Sequence, residues 1–126
     1  MKQTLGKQER LKSKTLIGNL YKEGKTVKNY PLRMVYLQAE HFSQYPVQVG
    51  VSVPKRNFKK AVDRNRIKRL LRETYRKQKQ LVYEAVDKPY VYMISYIGKE
   101  EYSYAEIEVK MKLLLQAFVS KTKNEK

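Results

Sequence analysis

The segment "DRNRIKRLLRETYRKQK", Asp63 to Lys79, limits the possible folds more than any other. Ile67, Leu70, Leu71 and Tyr75 recur in it at helical spacing. At about 100° per residue, with Ile67 at zero, these four fall between about −60° and +80°. Asn65, Lys68, Arg69, Arg72 and Arg76 fall between about 100° and 200°. The helix is split lengthwise: one stripe must be covered by other elements, and the other side repels itself in water. From Lys55 to Lys79 stand twelve basic residues, opposed only by Asp63 and Glu73. Glu73 is expected to pair with Arg69 or Lys77 at i±4, for a few tenths of a kcal/mol. The signs do not alternate as on a self-neutralising solvent helix. Arginine outnumbers lysine from Asp63 to Arg76, and planar guanidinium suits bidentate phosphate contacts. The pattern predicts a phosphate-binding helix.

The rest of the chain carries the same bias. Lys plus Arg number 28 against 12 Asp plus Glu, a formal charge of +16 on 126 residues. A compact body so charged seeks a polyanion, and nucleic acid is the usual one. An anionic membrane surface ranks second, because a basic amphipathic helix also suits it. Cysteine is absent, which excludes a disulfide scaffold and a zinc–cysteine site. The opening "MKQTLGKQERLKSK" has charge but no apolar core of a signal peptide. No apolar run approaches the roughly 20 residues that cross a bilayer. The cytoplasm is the expected location.

The remaining elements read as the cover that the split helix needs. Residues 1–10 are polar and expected to be loose. Leu16, Ile17, Leu20 and Tyr21 form one face of a short helix, which Gly24 stops. Thr26–Asn29 is a short strand, and Pro31 marks a break. Leu32–Gln38 reads as a strand and Ala39–Pro46 as a loop. In Val47–Val53 the valines alternate with Gln48, Gly50 and Ser52, so one face needs a cover and the other does not. These two strands are expected to pair as a hairpin. After Pro54 and the loop "KRNFKKAV", one helix is expected to reach about Val86. Lys88–Ile97 is a strand with Tyr90, Tyr92, Ile94 and Tyr96 on one face. Ser103 and Glu106 have capping-box spacing, and Tyr104, Ile107, Met111, Leu114, Leu115 and Phe118 follow the helical period after them. From about Ser120 the tail is charged and expected to fray. The order is α-β-β-β-α-β-α, an α+β fold of the α/β sandwich type, in one domain over residues 1–126, ordered from about 10 to 119. The long helix bridges two strands expected to be parallel neighbours.

Arg64-Asn65-Arg66-Ile67-Lys68-Arg69-Leu70-Leu71-Arg72 resembles the R-N-R-x-K-R-x-x-R signature of the bacterial ribonuclease P protein component. The preceding "VGVSVPKR" is similar to the strand before that signature, and the element order matches across about residues 10–119. Two departures stand out. The loop "NFKKAVD" lacks the glycine that members often carry, and Ile17 and Tyr21 stand where the first helix often carries two phenylalanines.

The resemblance implies a small mixed sheet packed by helices, with a left-handed βαβ crossover. It implies a protein subunit that binds the catalytic RNA and the 5′ leader of precursor tRNA. Hydrolysis is then carried by the RNA with Mg2+, and the protein alone binds no cofactor. The residues agree. Only Asp63 and Asp87 are aspartates, on separate segments, and no D-x-D or D-x-E spacing is present. Glu100 and Glu101 read as solvated, and His41, the only histidine, as a surface residue without a partner. No protein partner and no membrane contact are implied.

Two surfaces follow from the resemblance. The RNR face, Arg64, Asn65, Arg66, Lys68, Arg69, Arg72 and Arg76, would meet the RNA subunit. Asn65 reads a base edge, holds a hydrated Mg2+, or bonds local backbone near the helix start. A cleft between the first helix and the polar sheet face would hold the leader, with Ile17, Tyr21, Tyr36, Gln48, Ser52, Lys55 and Arg56. Stacking on aromatics tolerates any base. Tyr21 and Tyr36 as ordinary core aromatics is the alternative. Rival functions are another RNA-binding module such as a ribosomal protein, a nuclease in its own right, and a membrane-surface protein.

Overall fold

The computed structural model describes residues 6–41 and 43–124. A 3-10 turn at Lys7–Glu9 leads into α1 (Lys14–Glu23), β1 (Lys25–Asn29), β2 (Leu32–Gln38) and β3 (Val47–Ser52). Then come α2 (Ala61–Gln78), α3 (Gln80–Tyr83), β4 (Tyr90–Tyr96) and α4 (Tyr104–Lys123). The four strands form one mixed sheet in the order β1-β2-β4-β3.

The sequence of β4, YVYMISY, explains that order. Every one of its residues is buried, so it needs a neighbour on each side and a layer on each face. It takes β2 as an antiparallel neighbour and β3 as a parallel one. The hairpin expected between Leu32–Gln38 and Val47–Val53 is therefore absent. The loop between them spans β4 instead, and the two strands flank it. The parallel neighbours joined by the long helix are β3 and β4.

Register sorts the side chains onto two faces. Val47, Val49 and Val51 stand opposite Tyr90, Tyr92 and Ile94, and Met34 and Tyr36 stand opposite Ile94 and Tyr92. α2 and α4 cover this face with Ile67, Leu71, Tyr75, Ile107, Met111, Leu114, Leu115 and Phe118. Rings pack edge-on, Phe118 to Tyr36 at 5.0 Å and to Tyr92 at 5.2 Å. On the other face Val35, Val91 and Met93 meet Leu11 and Leu20, with Leu16 and Ile17 packed alongside. α1 and the segment before it thus make a third layer.

Local signals act as their chemistry dictates. Ser13 accepts from the Leu16 amide and opens α1. Ser103 and Glu106 bond reciprocally to open α4. Gly24 ends α1 because of close approach: a Cβ there would lie 2.3 Å from the Leu20 carbonyl oxygen and 2.7 Å from Val35 Cγ1.

Three expectations about segment limits change. The helix expected to reach Val86 is interrupted at Lys79, whose carbonyl accepts from both Val82 and Tyr83 in a tightened turn. α4 continues past Ser120 to Lys123, where Lys121 Nζ reaches the Thr26 carbonyl at 3.1 Å. Residues 6–10 are held rather than loose, since Glu9 is 1% exposed and the Leu11 amide bonds the Val49 carbonyl at 2.9 Å. Residues 1–5 lie outside the described residues.

Candidate nucleic-acid interface

The cations of α2 fall into two groups. Near its start, Arg64 turns back to donate to the Phe58 and Lys59 carbonyls at 2.9 and 2.8 Å, closing the loop that enters the helix. Arg66 donates to Asp63 and to both oxygens of Glu101. Near its end, Arg76 pairs with Glu73, so Glu73 bonds at i+3 rather than to Arg69 or Lys77 as expected. Lys77 lies 5.1 Å from the centre of the Tyr104 ring. Hydrogen bonds from Arg76 hold the Glu73 carboxyl below its usual range, against desolvation.

The middle of the helix is different. Asn65, Lys68, Arg69 and Arg72 line one groove with Arg10, Glu73 and Arg76. Asn65, Arg69 and Arg72 are exposed and Lys68 half-buried. No ion pair or hydrogen bond within the described residues engages these four side chains. Asn65 therefore does not take the local backbone bond that was one of its readings. Of the seven residues assigned to the RNR face, Asn65, Lys68, Arg69 and Arg72 are gathered without internal partners. Arg76 joins them while paired, Arg64 is turned to the loop, and Arg66 sits on the Glu101 side.

Arg10 was not anticipated. It arrives from the N-terminal segment, which runs parallel to β3 through a bridge between Arg10 and Val49. Leu11, an apolar residue in a polar run, was the one sequence signal that this segment docks.

The second surface lies on the α1 side of the sheet. Ile17 is half-buried against that layer, and Tyr21 is 51% exposed. Gln48 and Ser52 point to the same side, since they stand opposite Val91 and Ser95. Gln48 donates to the Gln8 carbonyl at 3.1 Å, and the Ser52 and Ser95 hydroxyls lie 2.7 Å apart. Lys55 and Arg56 are exposed in the turn after β3.

Tyr36 does not belong with them. It is 2% exposed and lies on the opposite face, against Phe118 and Tyr90. Alternation along β2 gives the α1 side to Arg33, Val35 and Leu37 instead. The core reading is right for Tyr36 and wrong for Tyr21. Sequence reading also missed Lys28 and Arg33. Both stand in the row Ser52–Ser95–Arg33–Lys28, which crosses all four strands on the α1 side.

A family model described as Ribonuclease P matches residues 5–119. The chain belongs to the ribonuclease P protein family. The ribonuclease P protein component of Porphyromonas gingivalis is 44% identical over 89 residues, which are 70% of this chain and 64% of that one. The chain thus spans just under two thirds of that relative's length. The component from Borreliella burgdorferi is 36% identical over 107 residues, 83% of this chain and 85% of that one. Among solved structures, the Staphylococcus aureus ribonuclease P protein superposes with a TM-score of 0.70 at 21% identity, covering 86% of this chain and 94% of that one. The protein from Thermotoga maritima gives 0.66 at 24% identity, covering 86% and 96%. These two likenesses bear on the fold, a mixed α+β sandwich.

His41, expected to lack a partner, is half-buried and tied to its loop: Nε2 lies 3.3 Å from the Pro46 carbonyl, and Nδ1 lies 3.4 Å from the Ser43 amide. No group of three or more His, Asp or Glu suited to a metal occurs among the described residues. No described helix is long and apolar enough to cross a membrane.

Proposed function

We propose that this chain is the protein subunit of ribonuclease P, which assists endonucleolytic removal of the 5′ leader from precursor tRNA in the cytoplasm. One observation carries the reading: within this family's fold, Asn65, Lys68, Arg69 and Arg72 form a basic groove without internal partners. Cations left unpaired in a chain of charge +16 are available to phosphate. The groove fits docking on the RNA subunit.

The carboxylates favour a binding role for the polypeptide. Asp63 and Glu101 hold Arg66, Glu73 holds Arg76, Glu9 holds Lys79, and Glu106 caps α4. Hydrolysis is assigned to the RNA subunit with Mg2+, which is expected in the holoenzyme rather than on the protein alone.

The α1 side suits the leader. Ile17 and Tyr21 offer apolar and aromatic surface, and Gln48 and Ser52 offer hydrogen bonds. Lys55, Arg56, Arg33 and Lys28 supply charge for the backbone. Such a surface holds single-stranded RNA of varied sequence.

The test is reconstitution with the RNA subunit from the same genome at low Mg2+. Precursor cleavage at the mature 5′ end should rise when protein is added, and protein alone should cut nothing. RNA binding with no effect on cleavage would favour another RNA-binding module.

A further inference from the structure

The N-terminal segment is fastened by a buried ion pair that the proposed docking face does not contain. Glu9 is 1% exposed and Lys79 7%. Lys79 Nζ donates to Glu9 Oε1 at 2.9 Å and to Oε2 at 2.7 Å. Tyr83 donates its hydroxyl to Oε2 at 2.6 Å, and the Gly6 amide donates to Oε1 at 3.0 Å. The pair joins residues 70 positions apart, so it ties the start of the chain to the α2–α3 junction. The next residue, Arg10, is exposed, its side chain has no internal partner among the described residues, and it lines the groove of Asn65, Lys68, Arg69 and Arg72. A second hollow at the β3 edge is lined by both Arg10 and Arg72.

A buried ion pair contributes little net stability, because desolvation offsets attraction. What this one does achieve is location. It fixes the backbone of residue 9, and the bond from the Leu11 amide to Val49 fixes residue 11. Arg10 is thereby held from both sides against a surface whose other cations repel it. A free tail would carry Arg10 away from Arg72.

We infer that Arg10 is a phosphate-binding member of the RNA-docking groove and that Glu9, through Lys79 and Tyr83, is its positioning residue. The inference rests on the docking role proposed above. It makes an unusual demand: an anion inside the protein is needed for binding to a polyanion.

Sign therefore separates this role from plain electrostatics. Removing a negative charge should tighten binding to RNA if only charge matters. If Glu9 positions Arg10, Glu9→Gln weakens binding. Affinity for the cognate ribonuclease P RNA is measured over a salt series, with circular dichroism for folding and amide exchange at Leu11 for docking of the segment. Arg10→Ala should lower affinity about tenfold, as loss of one charge-assisted phosphate contact does. It should also reduce the log–log salt slope by about 1. Glu9→Gln should lower affinity by a similar factor with faster exchange at Leu11. The double variant Glu9→Gln with Lys79→Gln keeps the net charge, removes both members of the ion pair, and should do the same. In an Arg10→Ala background, Glu9→Gln should cost little more, because the two act through one contact. Arg72→Ala is the control. If Arg72→Ala weakens binding and Arg10→Ala does not, Arg10 is no part of the groove and the inference is overturned. If Glu9→Gln tightens binding or adds its full effect to that of Arg10→Ala, its positioning role is overturned. If neither arginine matters, the docking role itself fails.

Discussion

Tyr36→Ala tests the assignment of the sheet's two faces. The ring is 2% exposed and packs edge-on against Phe118 at 5.0 Å, with Tyr90 at 6.4 Å. Truncating a buried aromatic costs about 3–5 kcal/mol, in transfer and in the cavity left behind. Each aromatic pair accounts for about 0.5–1.5 kcal/mol beyond buried area, and two pairs push the expectation to the upper half of that range. At about 3–6 °C per kcal/mol for a chain of this length, Tm should fall by roughly 12–30 °C. Tyr21→Ala is the counterpart. Its ring is 51% exposed, so Tm should move by no more than a few degrees. If a base of the leader stacks there, affinity of the assembled holoenzyme for precursor with a long leader should fall by about 1–3 kcal/mol. Affinity for mature tRNA should hold. The assays are thermal melts followed by circular dichroism, then binding of both tRNAs. A Tyr36→Ala protein that melts within about 2 °C of the parent and loses leader affinity would refute the reasoning.

Four further outcomes follow from particular contacts. Ser103→Ala removes the hydroxyl that accepts from the Glu106 amide, while the reciprocal bond from the residue-103 amide to Glu106 remains; it should cost about 1 kcal/mol in urea unfolding, with the m-value unchanged. Gly24→Ala places a Cβ 2.3 Å from the Leu20 carbonyl oxygen and 2.7 Å from Val35 Cγ1; unfolding should show a loss of about 1–3 kcal/mol or more. Burial pulls the Glu9 carboxyl up, but hydrogen bonds from Lys79, Tyr83 and Gly6 outweigh it and hold the group below its usual range. Its contribution is therefore present above the ordinary glutamate pKa and lost as pH falls through the lowered one, so the acid limb of stability should flatten in Glu9→Gln. Arg69→Ala and Arg72→Ala touch no internal partner, so stability should stay within about 0.5 kcal/mol, while RNA-subunit affinity falls and the salt slope drops by about 1 each.

Much of the fold was legible because the signals are local and periodic. The stripe of Ile67, Leu71 and Tyr75, the alternating valines of β3, and the Ser103–Glu106 box each act within a few residues. Strand order was not legible. The loop from 39 to 46 is short enough for a hairpin, and only the complete burial of β4 on both faces shows why β2 and β3 pair across it. The face of Tyr36 was illegible for a related reason. Both alternating sets of β2 carry apolar residues, Val35 and Leu37 on one side, Met34 and Tyr36 on the other. Periodicity separates such sets without saying which meets α1. Glu9 and Arg10 gave the weakest signal, two charges in a polar stretch whose partners lie far along the chain.

The two groups of cations on α2 also explain how so charged a helix is tolerated. Its ends are tied: Arg64 to loop carbonyls and Arg66 to Asp63 and Glu101 at the start, Arg76 to Glu73 at the finish, and Lys79 to Glu9 just beyond. Those contacts anchor the helix to the loop before it, to the segment before α4 and to the N-terminal segment. The repulsion that remains is concentrated in the middle turns, among Lys68, Arg69 and Arg72 with Arg10 opposite. There the apolar stripe behind them, with Ile67 and Leu71 fully buried, opposes it. Burial of such side chains contributes about 1.5–3 kcal/mol each. A few exposed like charges, screened over about 8–10 Å in physiological salt, cost less than that. The helix can therefore keep an unneutralised face in the free protein, and that face is the one a polyanion would neutralise.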